Sequence, residues 1–262
     1  MKNYILTAEN VQVSFDGFMA LDIDHFHLEE NELRVVIGPN GAGKTTFMDI
    51  LCGKTKASRG SITVDGKNIT KMSERRISDL GIGRKFQTPS VFTSLTVYDN
   101  MYLAIKTQKS VFNTLFARQS RATTEKIEYI AARTGLENEL HRIAGSLSHG
   151  QKQWLEIAIV LLQEPRILLI DEPAAGMTDA ETEKTGEMLK ELSANHSIIV
   201  IEHDMEFVRQ IARTVTVLAE GKRLVEGPMD VVQNDERVIE RYLGKRNKGQ
   251  KTSIQPTSFA TA

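Results

Sequence analysis

Residues 38–46, GPNGAGKTT, follow the apolar stretch LRVVI and contain the phosphate-loop pattern G-x-x-x-x-G-K-[ST]. Its glycines let backbone N–H groups approach phosphate oxygens, because no Cβ atom stands in the way. The Lys44 ammonium can reach the β and γ phosphates, and the Thr45 hydroxyl can ligate Mg²⁺. The sequence therefore predicts a nucleotide site formed by Gly38, Pro39, Asn40, Gly41, Ala42, Gly43, Lys44, Thr45 and Thr46.

Two adjacent carboxylates, Asp171 and Glu172, end a second apolar stretch, RILLIDEP. Ligands of parallel sheets bind at the carboxyl ends of the strands, so we expect this pair beside the phosphate loop. There Asp171 would complete the Mg²⁺ shell through water, and Glu172 would polarise the water that attacks the γ-phosphate. His203 ends the next apolar stretch, SIIVIEHD, and is expected to contact the γ-phosphate. Without the phosphate loop, these residues would be ordinary surface groups.

Ser148 and Gly150 form a second candidate anion site at the start of a helix. Ser148 with Gln151 three residues later is typical of a capping box. The residues that follow place an apolar stripe on one helical face, and Pro165 closes the segment. Because residues 38–45 already enclose one phosphate, we expect this second site to hold the nucleotide of another subunit arranged head to tail.

The surrounding pattern predicts the elements that position these residues. Short strands separated by turns dominate the first third, and residues 89–163 have helical spacing. Apolar strands return at 166–171, 197–202 and 214–219, with a helical pattern between the first two. This alternation is typical of a parallel sheet. We predict an α/β fold: a P-loop NTPase core with a mostly parallel sheet, an N-terminal antiparallel β-subdomain and an inserted α-helical subdomain.

Composition narrows the class of protein. The chain has 262 residues, of which 40% are hydrophobic and 26% charged, and its net charge is −1. This balance is normal for a globular protein and gives no reason to expect a nucleic-acid partner. The single cysteine, Cys52, excludes an internal disulfide framework. No apolar run approaches the roughly 20 residues of a membrane span, and no signal peptide is recognisable, so we expect a cytoplasmic protein.

The segment LSHGQ (147–151) precedes RILLIDEP and follows the phosphate loop by about a hundred residues. This arrangement resembles the ATP-binding cassette (ABC) ATPases, over residues 4 to about 244. The resemblance implies ATP and Mg²⁺ as cofactors and ATP hydrolysis as the activity. We call residues 147–151 the signature segment. In that family the corresponding residues contact the γ-phosphate on the opposing subunit, which here implies roles for Ser148, His149, Gly150 and Gln151.

The resemblance also implies individual roles for other residues. Phe15 falls where an aromatic ring stacks on adenine, and Gln87, in RKFQTP, where a glutamine reports nucleotide occupancy to the helical subdomain. The implied catalytic residues are Glu172, His203 and Gln87, and the implied metal-binding residues are Thr45, Gln87 and Asp171.

Two positions depart from the family pattern. His149 replaces the first glycine of the signature, where it either adds a donor to the phosphate or points to solvent. Thr178 replaces the aspartate that usually ends the loop after the acid pair. The communication between the two nucleotide sites that the family assigns to this loop is therefore not implied here. Asp179 is a candidate to substitute for it.

One ABC ATPase domain is expected over residues 4–244, with the core at 4–88 and 164–244, the helical subdomain at 89–163 and a disordered tail at 245–262. The segment at 101–136 and the end of the domain soon after 226–244 resemble the importer group for branched-chain amino acids and urea. LSHGQKQWLEIA and AAGMTDAETEKT are most similar to urea importer subunits. Urea uptake is therefore the first expectation, and uptake of branched-chain amino acids is the alternative.

The importer resemblance also implies partners. These are transmembrane permease subunits, a second ABC ATPase subunit and, indirectly, a solute-binding protein, with the chain at the cytoplasmic face of a bacterial membrane. A heterodimer of two different ATPase subunits is expected, and a homodimer is the alternative. Val91, Phe92 and Leu95 would receive a permease helix, although packing inside the helical subdomain explains them equally well. A soluble cassette ATPase acting on DNA or ribosomes is the less favoured class, because the chain has one cassette and no basic stripe.

Overall fold

The computed structural model describes residues 3–85, 91–105 and 121–243, with side chains described up to residue 240. Within these ranges the strands are β1 (Tyr4–Phe15), β2 (Phe18–Glu29), β3 (Leu33–Ile37), β4 (Arg59–Val64), β5 (Lys67–Asn68), β6 (Ile82–Lys85), β7 (Ile167–Asp171), β8 (Ser197–Ile201), β9 (Thr214–Ala219) and β10 (Lys222–Gly227). The α-helices are α1 (Lys44–Cys52), α2 (Glu74–Asp79), α3 (Val97–Ala104), α4 (Arg121–Arg133), α5 (His149–Leu161), α6 (Asp179–Ser193), α7 (Met205–Ile211), α8 (Met229–Gln233) and α9 (Glu236–Leu243).

An antiparallel sheet with the strand order β2-β1-β4-β5 contains the N-terminal residues. The β1–β2 hairpin turns at Asp16 and Gly17, which both have positive φ angles, of 48° and 87°. A turn with two positive φ angles favours Asp-Gly, since glycine pays no steric penalty there. Phe15 and Phe18 lie opposite each other at the end of this hairpin. The predicted antiparallel subdomain is confirmed.

The central sheet has the order β10-β9-β3-β8-β7-β6, and all its neighbouring strands are parallel except the β9–β10 pair. Every residue of β3, β7 and β8 is buried, as expected for parallel strands covered on both faces. These three strands are adjacent, so the residues after their carboxyl ends meet at one edge of the sheet. That edge carries the phosphate loop, the acid pair and His203.

Two hydrophobic cores lie on opposite faces of the central sheet. Val35 joins the core that includes Trp154 and the helices of the inserted region, and Val36 joins the core that includes Phe47 of α1 and Phe26 of β2. Successive residues of β3 point to opposite faces of the sheet, so this strand contributes to both cores. The predicted α/β fold with a helical insertion is confirmed.

Strand β6 was not signalled by its sequence. The four residues of this strand, IGRK, include a glycine and two cationic side chains, which are unfavourable in a buried strand. It forms because Arg84 pairs with Asp49 of α1 and Lys85 with Glu156 of α5.

No helix in the described ranges has both the length and the apolar character needed to span a bilayer. The predicted tail at 245–262 lies outside the described residues.

Candidate nucleotide site

The phosphate loop connects β3 to α1 and leaves one side open. Gly41 and Gly43 adopt positive φ angles of 77° and 96°. A Cβ atom on Gly38 would lie 2.3 Å from the Leu218 carbonyl oxygen, whereas one on Gly41 would meet no atom within 4 Å. The loop is therefore closed against the protein at its start and open at its tip. Gly43, the N-cap of α1, offers no side-chain acceptor, so the first N–H groups of this helix suit an anion.

Lys44 folds back into the phosphate loop. Its Nζ donates hydrogen bonds to the carbonyl oxygens of Gly38 at 2.6 Å and Pro39 at 3.1 Å. Burial lowers the pKa of the Lys44 ammonium, and the negative charges of Glu172 and Asp171 oppose this shift. The Lys44 ammonium is therefore close enough to the acid pair for their charges to interact, as expected if both groups belong to one phosphate site.

The other phosphate-loop residues differ in exposure. Asn40 and Thr45 are exposed, Pro39 and Thr46 are half-buried, and Ala42 is buried. Thr45 lies in the first turn of α1, one residue after Lys44. An exposed hydroxyl at the start of this helix can reach a metal ion bound to phosphate oxygens.

The acid pair follows β7 as predicted. Asp171 is buried, and its Oδ2 lies 3.8 Å from Nη2 of Arg84. Burial raises the pKa of the Asp171 carboxyl, and the Arg84 guanidinium opposes the shift. Glu172 has a φ of 46°, in the left-handed region that a non-glycine residue rarely adopts. Its N–H donates a 3.0 Å hydrogen bond to the Ile201 carbonyl, which ties the strained residue to β8.

His203 lies beside the second carboxylate of the pair. Its Nδ1 is 3.6 Å from Oε1 of Glu172, and its ring is largely exposed at the sheet edge. The structure therefore brings together Lys44, Asp171, Glu172 and His203, four residues singled out by their types and spacing. Gln87, the remaining predicted catalytic and metal-binding residue, lies outside the described residues.

Glu202 is a residue of this site that the sequence analysis missed. It directly precedes His203, and only 1% of it is exposed. Its Oε1 accepts a hydrogen bond from the Ala174 N–H at 3.1 Å, and its Oε2 accepts one from the His203 N–H at 3.0 Å. Burial raises the pKa of Glu202, and these backbone donors oppose the shift. In the sequence, the feature that could have pointed to Glu202 is a single carboxylate at the end of the mostly apolar run SIIVIE.

The signature segment has the predicted capping geometry. Ser148 is the N-cap of α5, and its Oγ accepts a hydrogen bond from the Gln151 N–H at 3.1 Å, while Oε1 of Gln151 accepts one from the Ser148 N–H at 3.0 Å. The Ser148 hydroxyl also donates a 2.8 Å hydrogen bond to Oε1 of Glu181 on α6. A Cβ atom on Gly150 would lie 2.6 Å from the same oxygen, so a larger residue here would have to displace the Glu181 carboxylate from its contact with Ser148.

His149 is exposed, yet it also makes an intramolecular contact. Its Nε2 lies 3.0 Å from the carbonyl oxygen of Ala175, in the loop after the acid pair. Thr178 ends that loop as the N-cap of α6 and forms a second capping box with Glu181. Both departures from the family pattern therefore take part in contacts between the signature segment and the loop at 173–178. His149 contacts Ala175 directly, and Thr178 binds Glu181, which also binds Ser148.

Phe15 lies at the end of the β1–β2 hairpin and is half exposed. The hairpin approaches the phosphate loop, because a Cβ atom on Gly43 would lie 2.9 Å from the carbonyl oxygen of Ala20. The aromatic ring is thus carried on an element that contacts the loop. This placement is compatible with the predicted stacking on adenine.

Comparisons with known proteins agree with this architecture. The ABC transporter family model matches residues 21–175. The high-affinity branched-chain amino acid transport ATP-binding protein LivG of Salmonella typhimurium is 34% identical, over 94% of this chain and all of the relative. BraF of Pseudomonas aeruginosa, with the same description, is 33% identical over the same shares. The chain belongs to the ABC transporter family.

Solved structures lead to the same family. The chain is 30% identical to a nucleotide-free ATP-binding cassette from an ABC transporter, with a TM-score of 0.82, and the match covers 92% of this chain and all of that one. An ATP-binding cassette of an ABC transporter in its ADP conformation matches with the same identity and TM-score, over 92% and 99% of the two chains. The resemblance to ABC ATPases is confirmed. The relatives described here are named for branched-chain amino acids, so they favour the alternative solute over urea.

Proposed function

We propose that this chain is the ATP-hydrolysing subunit of an ABC importer for branched-chain amino acids. The observation that carries the hydrolysis is the meeting of Lys44, Asp171, Glu172 and His203 at one edge of a parallel sheet, with Glu172 Oε1 3.6 Å from His203 Nδ1. The solute is proposed from the relatives named for branched-chain amino acid transport. A phosphate loop beside a carboxylate that can activate water is the equipment of a nucleotide hydrolase.

ATP binds to the phosphate loop, where Lys44 leaves its carbonyl partners for the β and γ phosphates and Phe15 stacks on adenine. The hydroxyl of Thr45 and the carboxylate of Asp171 are hard oxygen ligands of the kind that Mg²⁺ prefers, so they would hold the ion, with Gln87 as a third candidate. Mg²⁺, when bound, neutralises phosphate charge. The chain's own contribution is the electropositive loop and helix start that hold the triphosphate in place.

Hydrolysis uses Glu172 as the general base. Its carboxylate takes a proton from the water that attacks the γ-phosphorus, and the bond to the β–γ bridging oxygen breaks to leave ADP and phosphate. His203, beside Glu172, contacts the γ-phosphate. Glu172 has a left-handed backbone, and its hydrogen bond to the Ile201 carbonyl maintains this conformation.

A second ATPase subunit completes the site. Ser148, His149, Gly150 and Gln151 would meet the partner's γ-phosphate, because the start of α5 offers N–H groups and a serine hydroxyl. Closure of the two subunits then draws their helical subdomains together and moves the permease. The partner ATPase is a different protein, and a solute-binding protein delivers the solute outside the membrane. The chain works at the cytoplasmic face of a bacterial cell membrane.

Permease docking falls to the segment before α3. The side chain of Asn100 fixes the backbone of Phe92, accepting from its N–H at 2.7 Å and donating to its carbonyl at 3.0 Å. The Phe92 ring is exposed, while Val91 and Leu95 are partly buried. A rigid loop that presents an aromatic ring suits an apolar contact with a permease helix.

Urea is the second candidate solute. The segments LSHGQKQWLEIA and AAGMTDAETEKT resemble urea importer subunits, and they contain the His149–Ala175 and Ser148–Glu181 contacts. Neither segment touches the solute, so this candidate rests on likeness alone.

Uptake of labelled leucine and labelled urea in cells lacking this gene tests both candidates. Loss of leucine uptake, restored by the wild-type chain and by the exposed β5 variant Lys67→Ala but not by Lys44→Ala, would support the proposal. Nucleotide titration of the purified Lys44→Ala chain should show loss of ATP binding. Loss of urea uptake alone would replace the first solute with the second, and unchanged uptake of both would refute both solutes.

A further inference from the structure

Glu202 links the two loops that follow β7 and β8. One oxygen of its carboxylate binds the Ala174 N–H, two residues after Glu172, and the other binds the His203 N–H. The Asp204 N–H also points to the second oxygen, at a longer distance of 3.5 Å. A single side chain thus joins the backbone two residues after Glu172 to the backbone of His203.

Burying this carboxylate is costly. Moving a carboxylate out of water costs free energy unless hydrogen bonds replace its hydration, and Glu202 is almost fully buried. Its replacement bonds come from the backbone of the active-site loops, although the catalytic roles proposed above do not require an acid at this position. An apolar residue would continue the run SIIVI without this cost.

The end of β8 therefore holds the end of β7 at two points. The Ile201 carbonyl binds the Glu172 N–H at 3.0 Å, and the next residue, Glu202, binds Ala174. Glu172 makes one of these bonds and Ala174, two residues later, makes the other, so together they support the left-handed backbone of Glu172. Because the same carboxylate also orients the backbone of His203, it controls both members of the Glu172–His203 pair.

We infer that Glu202 is a positioning residue for ATP hydrolysis, which holds Glu172 and His203 in register by binding the Ala174 and His203 N–H groups. The inference rests on the proposed function, because it assigns Glu202 a role only if Glu172 and His203 act in hydrolysis. Glu202 itself need not touch the nucleotide. It acts through the two backbone segments that it joins.

Glutamine at position 202 keeps the shape of the side chain but changes the hydrogen bonds that it can make. A carboxylate offers acceptors on both oxygens, whereas an amide has one acceptor oxygen and an NH₂ group that can only donate. In Glu202→Gln one of the two N–H groups must therefore face a donor. The control is Glu32→Gln. Glu32 is 2% exposed, accepts a hydrogen bond from the Glu29 N–H at 2.9 Å and pairs with Arg34 at 2.8 Å, but it precedes β3, at the opposite end of the strands from the nucleotide site. This variant therefore removes a buried carboxylate without touching the loops after β7 and β8.

The experiment measures kcat and the ATP dissociation constant in the assembled transporter, together with the melting temperature of each variant. Glu202→Gln should lower kcat on the order of tenfold to a hundredfold, because small misplacements of catalytic groups cost this much, while ATP binding stays within about twofold. Glu32→Gln should keep the wild-type kcat. In a His203→Ala background the Glu202→Gln substitution should cost much less than in the wild type, because part of its target is already gone.

Glu202→Asp is the second variant, in case the glutamine substitution prevents folding. It keeps the charge but withdraws the oxygens by one methylene, so kcat should again fall. A wild-type kcat in either folded variant, or an undiminished effect in the His203→Ala background, would overturn the inference while leaving the proposed function intact. A wild-type transporter that binds ATP without hydrolysing it would overturn the proposed function, and this inference with it.

Discussion

The Ser148 hydroxyl donates a 2.8 Å hydrogen bond to Oε1 of Glu181, which lies on the helix after the acid pair. The other oxygen of Glu181 accepts the Thr178 N–H at 3.0 Å and the Thr178 hydroxyl at 3.1 Å. One carboxylate therefore fastens the start of α5 to the start of α6. The residue proposed to meet the partner's phosphate is thus attached to the loop that follows the acid pair.

Glu181→Ala should destabilise the fold. The substitution removes the Glu181 half of the capping box of α6 and the Ser148 contact, and a helix cap contributes about 0.5–2 kcal/mol. Equilibrium unfolding in urea measures the change. The control is Glu183→Ala, an exposed position on the same helix, where the change should stay within about 0.5 kcal/mol. Equal effects of the two substitutions would contradict the linking role of Glu181.

The Glu181 contribution should depend on pH. Hydrogen bonds from the Thr178 backbone and then the Ser148 hydroxyl lower the pKa of Glu181 below its ordinary value of 4.5. A lowered folded-state pKa gives stability that is present above pH 4.5 and is lost as the pH falls through the folded-state pKa. The stability difference between wild type and Glu181→Gln should therefore be constant above about pH 6 and shrink below pH 4.5. A difference that does not change with pH would contradict the assignment.

Glu172→Gln should bind ATP and hydrolyse it poorly. Loss of a general base costs roughly 10²- to 10⁴-fold in turnover, and the uncleaved nucleotide should hold the two ATPase subunits together. Sedimentation of the subunits with ATP should show an accumulated dimer, alongside a steady-state assay of phosphate release. Glu187→Gln, an exposed change on α6, is the control and should behave as the wild type. An unchanged turnover number would remove Glu172 from the chemistry.

Phe92→Asp should uncouple hydrolysis from transport. A charge in place of the exposed ring would prevent an apolar contact with the permease, but it lies outside the proposed nucleotide site. Basal ATPase activity should persist, and solute uptake should be lost. Tyr129→Asp is a matched control, because Tyr129 on α4 is equally exposed, at 59%. Retained uptake in Phe92→Asp, or equal loss in both variants, would refute this docking site.

Lys85→Met should be strongly destabilising. The Lys85 ammonium lies 3.4 Å from Oε2 of Glu156, with both side chains almost fully buried. Removing one charge of a buried pair costs about 3–5 kcal/mol, and replacing both with apolar residues recovers much of the loss. Urea unfolding of Lys85→Met and of the double variant Lys85→Met/Glu156→Met measures this. Arg121→Met, in an exposed ion pair with Glu125, should change stability by less than about 1 kcal/mol. A double variant no more stable than Lys85→Met would show that charge burial is not the cause.

The parts of the site that are local in sequence were predictable. The phosphate loop, the acid pair after an apolar strand and the Ser148–Gln151 capping box each depend on residues within a few positions of one another. Their backbone conformations follow from glycine's freedom, strand length and the spacing of a helical turn. For the same reason the Asp16-Gly17 turn of the hairpin could be anticipated.

What the sequence by itself determined is therefore the set of local elements and the chemistry that each can offer. The tertiary structure decided which distant groups meet: Glu181 with Ser148, Glu202 with Ala174, and His149 with the Ala175 carbonyl. It also decided that the polar stretch IGRK becomes a buried strand, because Asp49 and Glu156 arrive from two different helices to pair with its cations. Such contacts depend on the order of strands and the packing of helices, and no spacing along the chain encodes them.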